Sequence, residues 1–187
     1  MHSSVMAWAR EALTRDDVAG ARVLEVGSRS VNGSVWPVIR VLGPASYVGV
    51  DKIPGRGVNR VVDVADLVDR FGVEAFDLVV STEMLEHVED WRVAVRQMAA
   101  VTRLGGLVVI TTRSEGFPYH EHPVDRWRFS VEQMARIVDA VGCAVVDLCP
   151  DPEYPGVFVK ARRIASLPAP GELDDVVVGL APTSSRR

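Results

Sequence analysis

Polar or small residues stand directly after several short apolar runs in this sequence. Gly27 follows the run from Val23 to Val26, Asp51 follows Tyr47 to Val50, Asp63 follows Val61 and Val62, and Ser81 follows Phe76 to Val80. Runs of this length read as buried strands. If they neighbour one another in one sheet, their ends converge on one rim. A glycine there lets a ligand approach the backbone, and an aspartate can accept from both hydroxyls of a diol. A second group of titratable residues, Glu83, Glu86 and His87, follows the run that ends at Val80, and a helix would put Glu83 and His87 on one face. The third is the segment FPYHEHPVDRWRF, with His120, His122, Asp125 and Arg128. Imidazoles titrate near neutral pH and suit proton handling. His87, His120 and His122 with a nearby carboxylate would also make a set of first-row metal ligands. Their spacing follows no ligand motif, and no Cys-x-x-Cys pair supports a structural zinc. No metal is assigned on this basis.

The elements that must position these residues alternate. Met6, Ala9 and Leu13 give one apolar face to an N-terminal helix that closes on Arg15, Asp16 and Asp17. After the first strand, a polar loop through Gly33 leads to a helix from about Ser34 to Val41. Asp90 can cap a helix through Val95, Met98 and Val101, after which Gly105 and Gly106 release the chain into the run Leu107 to Ile110. Ser130 and Gln133 have the form of a capping box ahead of Val131, Met134, Val138 and Val141. Cys143 to Leu148 and Val157 to Ala161 are separated by prolines and a glycine, without a helical pattern, and predict an antiparallel pair. Alternating strands and helices require an α/β, mostly parallel, doubly wound sheet. Ligands bind such sheets at the carboxyl ends of the strands, where the order reverses.

The length of 187 residues fits one core, taken here as a domain over residues 1–165 with a partly flexible tail over 166–187, where Val176 to Leu180 can dock locally. A net charge of −4 offers no global field for a polyanion, so nucleic acid is not an expected partner. No apolar run reaches the roughly 18 residues of a membrane span, and no basic-then-apolar leader opens the chain. A cytoplasmic address without membrane contact is the expectation. Cys143 and Cys149, on one strand, are too far apart to bridge.

The segment VLEVGSRSVNGS resembles the glycine-rich first motif of class I S-adenosylmethionine-dependent methyltransferases, and YVGVDKIPG and VVDV resemble the second and third. FDLVVSTEMLEHVEDW is similar to the fourth motif with its following helix, and RLGGLVVITT to the turn and fifth strand. The resemblance, closest to small methyltransferase-11-like members, runs in order from Val23 to Phe129. It departs from the family where three alternating glycines are reduced to Gly27, with Gly33 returning after Asn32. It implies a Rossmann-like seven-stranded sheet with an antiparallel C-terminal strand, and S-adenosylmethionine as cofactor. On that resemblance Glu25 favours the cofactor's amino group, Gly27 and Ser28 form the close-approach loop, Asp51 and Lys52 flank the ribose, Asp63 and Val64 address the adenine, and Ser81 and Thr82 flank the methionine portion.

Each residue also has a plainer reading. Asp51 and Asp63 can close turns or cap helices, Glu25 can pair with Arg29, and Asn32 and Ser34 can end the loop and cap the next helix. Asp125 can pair with Arg126 or Arg128, while Trp127 and Phe129 fill the base of the sheet. The functional reading makes Glu83, Tyr119, Asp125 and Arg128 substrate-facing and gives His120, His122 or His87 the role of base. The enzyme expected is a methyltransferase acting on oxygen or nitrogen of a small-molecule or glycan-like acceptor, with a homodimer as one way to complete an open pocket. The alternatives are a non-catalytic nucleotide-binding Rossmann-like module and an NAD(P)-dependent oxidoreductase, the latter lacking its Gly-x-Gly-x-x-Gly turn here.

Overall fold

Arg22–Val26 (β1) pairs in parallel on one side with Ser46–Asp51 (β2) and on the other with Phe76–Thr82 (β4). In this computed structural model, which describes residues 2–120, 124–169 and 171–182, those pairings start a seven-stranded sheet. Arg60–Val61 (β3) extends it beyond β2, and Thr102–Arg113 (β5) lies parallel to β4. Gly156–Arg163 (β8) is inserted antiparallel between β5 and Cys143–Pro150 (β7). The spatial order is β3-β2-β1-β4-β5-β8-β7, so the chain winds outward from β1 and then returns to its other side. The crevice between β1 and β4 is the switch point of the sheet.

The strands are hydrophobic on both faces because both are covered. On one face Leu24, Val79, Val108 and Ile110 meet Trp91, Met98 and Ala99 of Trp91–Val101 (α5) and Met134 and Ile137 of Val131–Asp139 (α6). On the other, Val23, Leu78, Val80, Val109 and Phe158 meet Val5 and Trp8 of Ser3–Ala12 (α1) and Val38 and Ile39 of Trp36–Val41 (α3). Asp90 caps α5 by accepting from the backbone N–H groups of Arg92 at 2.8 Å and Val93 at 3.2 Å. The Ser130–Gln133 capping box that opens α6 is formed in both directions. Cys143 and Cys149 are free thiols on β7. Among the described residues no helix is long and apolar enough to cross a membrane.

Several boundaries differ from the sequence reading. The N-terminal helix ends at Ala12, and a separate turn, Arg15–Val18 (α2), starts from a Thr14–Asp17 capping box, so Arg15 to Asp17 do not close α1. β5 begins at Thr102, ahead of Gly105 and Gly106, with a register shift opposite Phe76 to Leu78. A side chain at Gly106 would come within 2.8 Å of the Asp77 carbonyl oxygen, so that glycine admits the neighbouring strand. Leu67–Phe71 (α4) is too short to leave a periodic signature. The expected helix after β4 is one 3-10 turn, Leu85–His87. In the C-terminal segment Leu173 and Val176 are buried in the main core, and Gly179–Leu180 (β9) pairs with Trp127–Arg128 (β6).

Candidate active site

A cavity of about 580 Å³ opens at the carboxyl ends of β1 and β2, within the usual range for a small-molecule site. Gly27, Asp51, Lys52, Asp63 and Val64 line one side, and Glu83, Met84, His87, Val88, Glu89 and Asp90 line the other. Ile53, Val64, Met84 and Val88 make it an apolar slot with acidic edges. Asp51 accepts from the Ile53 amide at 2.9 Å, and Asp63 from the Ala65 amide at 3.0 Å, each through Oδ1. The turn-closing reading therefore describes one oxygen of each carboxylate.

Gly27 has a φ of +79°, and a Cβ placed on it would lie 2.6 Å from Cγ of Met84. The glycine thus lets Met84 fold over the first loop as part of the cavity wall, besides exposing the backbone. The Gly27 and Ser28 amides both donate to the Val50 carbonyl at 2.9 Å, which locks the loop to β2. Ser28 itself is buried between Gly49 and Gly57 and does not line the cavity. Ser81 and Thr82 are also buried behind the wall, and the Ser81 hydroxyl has no partner.

Glu25 is 1 % exposed and likewise lies outside the wall. It does not pair with Arg29. Tyr47 donates its hydroxyl to Glu25, and Ser34 Oγ lies 3.4 Å from each carboxylate oxygen. Burial raises the Glu25 carboxyl to about 7, partly offset by these donors, and pushes the Tyr47 phenol upward. Ser34 also accepts from the Trp36 amide at 3.0 Å, although the N-cap of α3 is Val35 and not Ser34. Arg29 is instead exposed on the cavity wall with its side chain over Gly55.

Glu83 does not share a helical face with His87. It has a φ of +56° and turns toward β5, where Arg113 and Thr111 donate to its carboxylate. Arg113 is wholly buried, bonds Asp151 at 3.0 Å and lies over the Phe117 ring at 4.5 Å. Its desolvation is met by carboxylates on two sides.

Of the histidines, His87 reaches the cavity wall. His120 stands edge-on to it with ring centroids 4.7 Å apart, behind the wall, and His122 lies outside the described residues. Burial, with repulsion from His87, lowers His120 to about 4, so its ring is neutral near pH 7. Asp125 and Arg128 do not line the cavity either. They form a buried bidentate pair, and Asp125 also accepts from the His120 amide at 3.1 Å, while Arg128 donates to the Phe117 and Pro118 carbonyls. The pair shapes the loop that carries His120, and the sequence alternative of a structural pair with Arg128 is the one realised. Tyr119 is half-buried and away from the cavity. Trp127 backs the wall by donating to the Val88 carbonyl at 2.8 Å, and Phe129 is core. Sequence reasoning passed over Met84, Ile53 and Val88 because apolar residues in loops carry no chemical signature.

The sequence matches the model of a family described as a methyltransferase domain over residues 2–148. No curated protein matches it. Among solved structures, the 1,6-didemethyltoxoflavin-N1-methyltransferase of Burkholderia thailandensis superposes with a TM-score of 0.68 at 16% identity, over 87% of this chain and 79% of that one. An S-adenosylmethionine-dependent methyltransferase of Mesorhizobium loti gives 0.65 at 17%, over 86% and 98%. The [4+2]-cyclase SpnF gives 0.64 at 17%, over 87% and 81%, so this fold also serves another reaction. The family model spans more than three quarters of the chain, and on that ground the protein belongs to the methyltransferase domain family.

Proposed function

We propose that the chain moves a methyl group from S-adenosylmethionine to an oxygen or nitrogen of a small-molecule or glycan-like acceptor. The observation that carries this reading is the meeting of Gly27, Asp51 and Asp63 on one slot walled by Ile53, Val64, Met84 and Val88. The carboxylate of Asp51 on the wall suits a ribose hydroxyl, that of Asp63 an adenine amino group, and the apolar walls a flat ring. When bound, the cofactor supplies an activated methyl group on a good leaving group. The protein's part is then mainly positioning. Ser28 contributes through its amide, which ties the loop to the Val50 carbonyl, while Ser81 and Thr82 lie buried behind the wall. Glu25, held by Tyr47 and Ser34, acts on the amino acid end only through the loop it anchors. His87 is the imidazole on the wall and the group available to take an acceptor proton. The Burkholderia relative, an N-methyltransferase solved with S-adenosylhomocysteine and a small acceptor, supports both the cofactor and the acceptor class.

Calorimetric titration with S-adenosylhomocysteine tests the reading. Binding to the unaltered chain is expected, weakened about 10- to 100-fold in Asp51→Ala, the loss of a charge-assisted bond. Equal affinity in that variant, or tighter binding of NADH than of S-adenosylhomocysteine, would refute it.

A further inference from the structure

Glu86 is wholly buried behind the cavity wall, and only half of its carboxylate is satisfied. Oε2 accepts from the Thr112 hydroxyl at 2.7 Å, while Oε1 has no hydrogen-bond partner among the described residues. An unpaired buried carboxylate oxygen is costly. Nε2 of His87 lies 3.8 Å from that oxygen, and Nε2 of His120, also buried, has no hydrogen-bond partner among the described residues. One ligand atom from each of Glu86, His87 and His120 lies within 4.8 Å of the others.

We infer that Glu86, His87 and His120 form a binding site for a first-row divalent cation of the zinc, cobalt or iron kind. Two imidazoles and one carboxylate are a set such ions take while keeping positions open for other ligands. Two imidazoles bound to one ion at about 2.1 Å have centroids roughly 5 Å apart, close to the 4.7 Å of the His87 and His120 rings. Atoms sharing such an ion are at most about 4.2 Å apart, so closure needs only a small side-chain rotation. Each ligand is oriented by its own partner: Thr112 holds Glu86, the Val124 carbonyl lies 2.8 Å from Nδ1 of His87 and leaves Nε2 facing Glu86, and Asp125 holds the His120 amide. Such supporting bonds are a usual feature of metal sites.

The sequence offered His87 and His120 with an unspecified carboxylate, and the structure supplies it as Glu86, bringing the turn after β4 against the loop before β6. His87 belongs to both the cluster and the cavity wall; with Nε2 on the ion and Nδ1 facing the Val124 carbonyl it is then a ligand instead of the base it can be without the ion, and the ion beside the acceptor would polarise its oxygen. That use rests on the methyl-transfer reading, whereas the site itself does not.

Metal-free protein titrated with Co²⁺ under visible absorption, with Zn²⁺ and Mg²⁺ as competitors, tests the site. One Co²⁺ per chain is expected, displaced by Zn²⁺ and not by Mg²⁺. His120→Ala and Glu86→Gln should each weaken it by roughly 100-fold, and His2→Ala should leave it unchanged. S-adenosylhomocysteine titration of the same variants reports folding, and because His120 lies behind the wall, His120→Ala should retain that binding. Should Glu86→Gln fail to fold, His120→Ala decides. No Co²⁺ uptake by the unaltered chain, or undiminished uptake in folded His120→Ala, overturns the site. Co²⁺ uptake without S-adenosylhomocysteine binding would sink the methyl-transfer reading and leave the metal site standing.

Discussion

Gly27 shows how one residue serves local geometry and the cavity together. Its φ of +79° disfavours any side chain, and Met84 fills the space a Cβ would need. Gly27→Ala should cost about 1 kcal/mol from backbone conformation alone, plus a steric part. Adding Met84→Ala should restore the steric part of the loss in melting temperature and leave the backbone part. Glu25 makes a different prediction. Its carboxyl rises from an ordinary 4.5 to about 7, so between those values the folded chain binds the proton more tightly than the unfolded chain. This group therefore favours folding most at low pH, and the advantage is lost as pH rises through that window, by about 3 kcal/mol. Urea unfolding of Glu25→Gln at pH 5 and pH 7.5 should show a flatter dependence than the parent, and an unchanged slope would assign the effect elsewhere.

At the scale of elements, the site depends on how the end of β4 is tied to its neighbours. Glu83 leaves the strand in a left-handed conformation and is held by Arg113 of β5, which is in turn held by Asp151 in the β7–β8 connection. Ser4 of α1 donates to the same Asp151 at 3.0 Å. Asp151→Asn removes one of two charges facing a buried guanidinium, so it should destabilise the fold by about 3 kcal/mol in urea unfolding. The helix that would have put Glu83 and His87 on one face is not formed. Amphipathic spacing of Glu83 and His87 fits a helix, but the buried Arg113 offers Glu83 a stronger partner than a helical turn does. The capping signals at Asp90 and Ser130 succeeded because their bonds are local and formed by neighbouring residues.

For the whole molecule, the C-terminal segment is the test of where the folded unit ends. Leu173 and Val176 are buried in the main core, and Arg92 donates to the carbonyls of Leu173 and Val176 from the outer side of α5. A chain ending at Ser166 should lose about 3–6 kcal/mol, from two apolar side chains at about 1.5–3 kcal/mol each, with a matching fall in urea midpoint. An unaltered midpoint would mean that the segment contributes nothing to the core.

The mostly parallel doubly wound sheet, its antiparallel C-terminal strand and the gathering of Gly27, Asp51 and Asp63 at the strand ends were legible in the sequence, because strand period, turn residues and crossover rules leave local marks; the spatial order of the strands was not. Tertiary structure decided the rest. Asp125 and Arg128 turned inward to each other, Ser28 and Glu25 were drawn behind the wall, and Met84 was brought over Gly27. It also brought Glu86, His87 and His120 together. The physical reason is that a polar side chain's fate depends on whether a buried partner from a distant segment comes within hydrogen-bonding reach, and local spacing carries no record of that distance.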